Sequence, residues 1–368
     1  MGTSLLHFTS FLPLCRRLEE LTISTGYAGS ESVYNEQLLC SHLRGLGCSL
    51  KLLNLTTGLD SKELETAVGH HARPAALTLH VNSPAAGVWL PQLRQCNECH
   101  GSMPQSVWRC RHLTSLLCCN APASIGGPQV GGAQCTSLRR LRLDGCVFDS
   151  HTFPASLCSA LRQLGSLQIF GYADGLSYPF AAIRLASLPP DFSQLSSLRR
   201  LVIKGASIKP PSLETFRRLP GLTALHLRDC LLESLPDGPY LSNLKSLDLS
   251  YNSNRLASPL PFAATAARGL QALCIDCNPG NHNPYYMYPL EGPLSAAELH
   301  EWWQDVQWKL HCFPRLKVLA MELDPDKESA PEVEALLDEI RSTFPSCELD
   351  LYGDLDFYPE YSGQAESL

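Results

Sequence analysis

Residues 135–146 read CTSLRRLRLDGC, with Leu138, Leu141 and Leu143 spaced by two residues and then one, and with Cys146 three places on. The same figure returns in PGLTALHLRDC, ending at Cys230, and in SNLKSLDLSYN, ending at Asn252. An L-x-x-L-x-L run has the length of a short strand. Its last two leucines share one face, and the residues between them lie on the other, because strand side chains alternate. Working outward, the first position of the figure recurs at Leu18, Leu50, Pro74, Leu113, Leu138, Leu164, Leu198, Leu222, Leu244, Leu270, Leu316 and Ser346, which makes twelve candidate units. The successive offsets are 32, 24, 39, 25, 26, 34, 24, 22, 26, 46 and 30 residues, and six of them fall within 22–26. A recurrence of that length marks a solenoid, since one such unit cannot bury its apolar face alone and needs a neighbour on each side.

Bulk properties agree. The chain of 368 residues is longer than one ordinary globular core, so a repeat array competes with two domains. It is 44% hydrophobic and only 18% charged, which favours an ordered, well-buried chain over a disordered one. A formal charge of -7 offers no general basic footprint for nucleic acid. No uncharged apolar run is long enough to span a bilayer. The opening MGTSLLHFTSFLPLC is apolar but has neither a basic n-region nor a small-residue cleavage site, and Leu6 breaks the myristoylation pattern. Sixteen cysteines without a secretory signal point to reduced thiols and a cytoplasmic or nuclear location.

From Leu138 to Asn278 the residues resemble leucine-rich-repeat proteins of plants and green algae. Cys146 and Cys230 stand where cysteine-type repeats place Cys, while Asn82, Asn252 and Asn278 stand where typical repeats place Asn. LESLPDGPYLSNLKSLDLSYN (232–252) and LASLPPDFSQLSSLRRLVI (185–203) resemble plant-type units. The resemblance implies an α/β leucine-rich-repeat solenoid, a curved horseshoe with a parallel concave sheet and with helices and loops on the convex side. Residues 1–352 form one such array of about twelve units, most regular over 113–278 and irregular over 1–112 and 279–352, followed by an acidic tail at 353–368. Within each unit a buried Asn or Cys after the strand is expected to satisfy backbone groups of the turn. The cysteine-type units also resemble the repeat part of F-box/leucine-rich-repeat proteins, which implies a substrate-recognition role in a ubiquitin ligase.

The long offsets carry helices. ESVYNEQLLCSHLRGLG puts Val33, Leu38, Leu39, Leu43 and Leu46 on one stripe, and Asp60 with Glu63 caps a helix bearing Leu64 and Val68. Ser295 and Glu298 form a capping box ahead of Leu299, Trp302, Trp303, Val306 and Leu310; Ser329, Pro331 and Glu332 repeat the device ahead of Val333, Leu336, Leu337, Ile340 and Phe344. Residues 120–134, rich in Gly and Pro, read as a flexible loop. Tyr285, Tyr286 and Tyr288 bunch in a Pro-rich insert and would be either convex-side packing or binding anchors.

Chemistry has few candidates. Cys96-Asn97-Glu98-Cys99-His100 has the spacing of a haem attachment site, and with Cys110 and His112 it could supply a zinc site, which would make the chain a metal-binding or redox protein; the plainer reading is free thiols in a long loop between repeats. Cys274 and Cys277 form a second C-x-x-C, but the register turns Leu273 and Ile275 inward and leaves Cys274 outward. Phosphate-binding loops and the nucleophile elbow are missing, and no Ser, Cys or carboxylate stands at dyad spacing from a His. No catalytic residue and no cofactor is therefore expected. The remaining functional surface is the concave one. Its outward positions include Arg140, Arg142, Asp144, Phe170, Arg200, Lys204, His226, Arg228, Asp248 and Asp276. This face, basic in the middle and acidic later, is expected to hold a protein partner on a monomeric chain, with no role for nucleic acid or membrane.

Overall fold

The computed structural model describes residues 20–24, 52–57, 76–81, 95–100, 108, 111–119, 124–125, 133–148, 151–171, 185–252, 260, 262–276, 296–322 and 331–350. They divide into two compact units, Met1–Ser150 with Pro154–Leu164, and His151–Phe153 with Gly165–Leu368. The helices expected at 33–46 and 60–68 and the tyrosine cluster lie outside the described residues.

In the first unit the strands β1 (Glu20–Ser24), β2 (Leu52–Thr57), β3 (Ala76–Val81), β4 (Gln95–His100), β5 (Ser115–Cys119) and β7 (Arg140–Asp144) pair in chain order. All pairs are parallel and nearly all are in simple register, so that Leu21 sits beside Leu53, and Leu53 beside Leu77. Five of these strands begin two residues after a Leu or Pro chosen by the repeat. The exception is β4, which corrects the loop expected there. Cys96 and Cys99 pair with Leu77 and Leu79 on one side, and with Leu116 and Cys118 on the other, across an irregularity that adds one residue. Leu116 and Cys118 are buried, so the C-x-x-C spacing is a bulged version of the leucine register. The segment 120–134 likewise contains more order than expected: β6 (Ser124–Ile125) pairs in parallel with β8 (Val147–Phe148). A short helix, α1 (Ala155–Ala160), follows in the same unit and buries Leu157 and Cys158.

The second unit continues the same design through β9 (Ser166–Phe170), β10 (Arg200–Lys204), β11 (Ala224–Arg228), β12 (Ser246–Asp248), β13 (Ala272–Asp276), β14 (Val318–Glu322) and β15 (Glu348–Asp350), again parallel and in chain order. Leu167, Leu201, Leu225, Leu247, Leu273, Leu319 and Leu349 form one continuous row of register partners. The four connections from β9 to β13 each carry, among their described residues, a single 3-10 turn: Pro190–Gln194, Glu214–Arg218, Pro239–Asn243 and Ala264–Ala267. A four-residue helix, α2 (Pro210–Leu213), leads into the second of these. Three of these turns bury an aromatic ring, Phe192, Phe216 and Tyr240. Phe192 meets Phe153 edge-on at 5.5 Å, and Phe216 meets Tyr240 at 6.2 Å.

The offsets of 46 and 30 residues hold true helices where the capping signals place them, α3 (Ala296–Leu310) and α4 (Pro331–Thr343). Trp302, Trp303, Val306 and Leu310 are buried on α3, as are Val333, Leu336, Leu337 and Ile340 on α4. The Trp303 indole N–H donates to Glu339 at 3.0 Å and ties the two helices.

Candidate protein-binding face

The turn after each strand fixes how the sheet face is presented. The chain reverses there in a left-handed conformation at the same place in four units: Gly145 (φ 65), Gly205 (φ 70), Asp229 (φ 52) and Tyr251 (φ 60). Glycine accepts this φ freely; Asp229 and Tyr251 hold it at a backbone cost of about 1 kcal/mol each. Behind the turn stands the expected Asn or Cys. The Asn252 side-chain oxygen accepts the N–H groups of Cys230 (2.9 Å) and Leu232 (3.2 Å). Its amide donates to the carbonyls of Leu227, Leu249 and Ser250. The Cys230 thiol donates to Ile203 O at 3.3 Å and Arg228 O at 3.4 Å, and Cys146 reaches Asp144 O at 3.8 Å.

The fold is a leucine-rich-repeat solenoid.

Solved structures similar to this chain include a leucine-rich-repeat protein of Leptospira interrogans, 19% identical with a TM-score of 0.47, over 86% of this chain and 68% of that one. Another is the crystal structure of PEPR1–AtPEP1, 21% identical with a TM-score of 0.33, over 64% of this chain and 32% of that one. No protein-family model matches the chain, and no curated protein does.

The expected face residues differ sharply in exposure. In the first unit Arg140 and Arg142 on β7 are exposed, and Arg142 closes an ion pair with Asp144 at 3.0 Å. In the second unit Phe170 and Lys204 are half-buried, and the Lys204 ammonium lies 5.3 Å from the Phe170 ring centre. Arg228 is also half-buried, its guanidinium 4.4 Å over Tyr251, a ring that sequence reasoning missed because it belongs to the turn and not to a strand. Asp276 closes β13.

The others lie on the face opposite the leucines, as alternation requires, yet they are not open to solvent. Arg200 is 4% exposed, His226 0%, and Asp248 1%. Val202, Ser246, Ser250 and Cys274 are equally buried, and Ala272, Cys274, Val318 and Ala320 form an apolar cluster of their own. Alternation determines which face a side chain takes, not whether that face meets water.

Among the described residues, this buried patch brings a His and a Ser side chain together. His226 Nε2 is 2.9 Å from Ser246 Oγ, on the neighbouring strand, with Asp248 directly beside His226 in register. The Asp248 carboxylate, however, accepts the Ser250 N–H at 2.9 Å and the Ser250 hydroxyl at 2.6 Å. A nucleophile must also reach its substrate, and Ser246 and His226 are fully buried. The arrangement is a buried polar cluster that no substrate reaches. Cys274 belongs to it: burial first, then the Asp248 charge, pushes its thiol well above the ordinary range, so it stays protonated and poorly nucleophilic. Among the described residues no group of three His, Cys, Asp or Glu side chains converges on a metal-sized site. Of the zinc candidates, Cys96, Cys99 and His100 lie in β4, and Cys110 lies outside the described residues. No helix among the described residues is long and apolar enough to cross a membrane.

Proposed function

We propose that the chain is a non-enzymatic protein-interaction scaffold that holds an acidic partner segment on the sheet face opposite its leucines. The carrying observation is that the repeat spends its leucines on the core and leaves that face with cations braced on rings or carboxylates. Arg142 is set by Asp144, Lys204 by Phe170, and Arg228 by Tyr251. Side chains held in place lose less freedom on binding, which favours affinity. Arg200, His226 and Asp248 support the face from within and do not contact the partner. The buried cysteine-type positions Cys146 and Cys230 carry the proposal further, to substrate recognition within a ubiquitin ligase; co-purification of ligase subunits tests that extension.

The test is affinity purification from the native cell with the wild-type chain and with Arg140→Glu/Arg142→Glu and Lys204→Glu/Arg228→Glu variants. A partner retained by wild type and lost from both variants supports the reading. Identical recovery by all three overturns it.

A further inference from the structure

A second charged surface, distinct from the sheet face, runs along the turns that lead into the strands of the second unit. Five such turns, SSLR (196–199), RRLPGLT (217–223), SNLK (242–245), RGLQ (268–271) and PRLK (314–317), contain no Asp or Glu, in a chain whose net charge is -7. The residue just before each strand is joined by backbone to the one before it. Thr223 N donates to Arg199 O at 2.8 Å, Lys245 N to Thr223 O at 2.8 Å, Gln271 N to Lys245 O at 2.8 Å, and Lys317 N to Gln271 O at 2.8 Å. These positions therefore form a column that advances one strand spacing, about 4.8 Å, per unit. Arg199, Lys245 and Lys317 occupy alternate places in it, about 10 Å apart. Arg218, Arg268 and Arg315 flank the column from the same turns, and all six are exposed. Glu214, 3.1 Å from Arg217, is the one carboxylate paired with these turns among the described residues. At the β14 end, the segment that feeds the strand begins at the last turn of α3, where Trp308 is 61% exposed, the one large apolar side chain so exposed among the described residues.

We propose that this edge is a docking surface for an extended acidic segment of a partner protein, with Trp308 as an apolar anchor at one end. An extended chain advances about 3.3 Å per residue, so a carboxylate at every third residue matches cations about 10 Å apart. Single-stranded nucleic acid would stack its bases on aromatic side chains, and the five turns contain none. An anionic membrane offers a plane of charge and needs apolar insertion, whereas this edge is a line of charge with a single exposed ring. The six cations are exposed and hydrated, so a complementary chain gains Coulomb energy with little desolvation.

The probe is a fluorescent peptide of repeating Glu-Ser-Gly, with its Gln-Ser-Gly counterpart as control, titrated into the purified full chain and read by anisotropy. The edge variant is Lys245→Glu/Arg315→Glu/Lys317→Glu. A second variant, Lys245→Gln/Lys317→Gln, guards against misfolding, and thermal melts are compared for both. Expected are binding of the Glu peptide that weakens steeply with salt, a loss of roughly tenfold or more on reversal with the melt unchanged, and a smaller loss for the Gln variant and for Trp308→Ala. Arg341→Glu, an exposed cation of α4 that belongs neither to this edge nor to the sheet face, leaves the affinity unchanged, which shows that the loss is specific to the edge. The proposal is overturned by no binding of the Glu peptide, by equal binding of the Gln peptide, or by no effect of reversal. Tighter binding of phosphatidylserine vesicles or of a single-stranded oligonucleotide overturns it as well.

Discussion

The carboxamide oxygen of Asn252 accepts the backbone N–H of Cys230, 22 residues earlier, at 2.9 Å. Through its other bonds the same side chain joins the turns of two consecutive units. Asn252→Ala would leave buried N–H and C=O groups of both turns without their partner. The expected loss is about 3 kcal/mol of unfolding free energy, measured by urea denaturation, with Asn252→Cys losing less because Cys serves the equivalent place at Cys230. A loss under about 0.5 kcal/mol would show that the ladder contributes nothing beyond packing.

Cysteine reactivity should follow burial. Burial pushes the Cys230 and Cys274 thiols well above their ordinary range, and Cys347 up to about 11. Of the described cysteines, Cys118, Cys135, Cys146, Cys158, Cys230 and Cys274 are buried, whereas Cys312 and Cys347 are partly open. Iodoacetamide at neutral pH, read by peptide mass mapping, should label Cys312 before any buried cysteine, and the buried set only in denaturant. Rapid native labelling of Cys274 would contradict the closed sheet face.

Asp229 makes stability pH-dependent in an unusual sense. Burial raises its carboxyl from 3.8 to about 7, partly offset by Arg228. Its folded-state pKa lies above the unfolded one, so the folded state binds the extra proton between these values. Its burden on the fold is absent below about pH 4, grows as pH rises toward 7, and is complete above. Asp229→Asn removes this burden and keeps a residue that tolerates the left-handed φ of 52. The variant should be more stable than wild type at pH 8, on the order of 1–2 kcal/mol after allowing for solvent screening, and nearly equal at pH 4. An advantage that does not change with pH would remove the titration argument.

Gly205 and Tyr251 answer the same backbone demand in opposite ways. Gly205→Ala places a Cβ at φ +70, 3.5 Å from the Gly171 Cα, and should cost about 1 kcal/mol in thermal or urea unfolding. Tyr251→Gly relieves a φ of 60 but removes the ring beneath Arg228. Stability should therefore change little while partner affinity falls, a divergence visible by comparing melts with pull-down recovery.

Trp303 is the largest fully buried side chain of α3, in contact with Phe344 at 6.1 Å and bonded to Glu339. Trp303→Ala should cost about 3–5 kcal/mol. Trp308→Ala, on the exposed side of the same helix, should leave the melting temperature within about one degree.

Strand positions were legible wherever a leucine register survived, because the inward side chains recur at an interval that packing alone demands. Leu138, Leu141 and Leu143 announce β7 without any knowledge of their neighbours. Helices α3 and α4 were equally open to view, since Ser295 and Ser329 mark their starts by local hydrogen-bonding chemistry. Strand β4 was not. Cys96 and Cys99 replace the leucines and an added residue breaks the period, so only its pairing with β3 and β5 reveals it. The 3-10 return turns were hidden for another reason: a single turn has no periodicity to detect.

The candidate face divides along the same line. Alternation along a strand is a local property, so the sequence alone assigned Arg140, Arg142, Lys204, Arg228, His226 and Asp248 to the side opposite the leucines. Whether a side chain on that side meets water is not local, because it depends on what neighbouring strands and distant segments bring against it. Tertiary structure alone therefore separated exposed Arg140 and Arg142 from buried Arg200, His226 and Asp248. It alone also lined up Arg199, Lys245 and Lys317, which are far apart in the chain and become neighbours in a column only when successive coils stack.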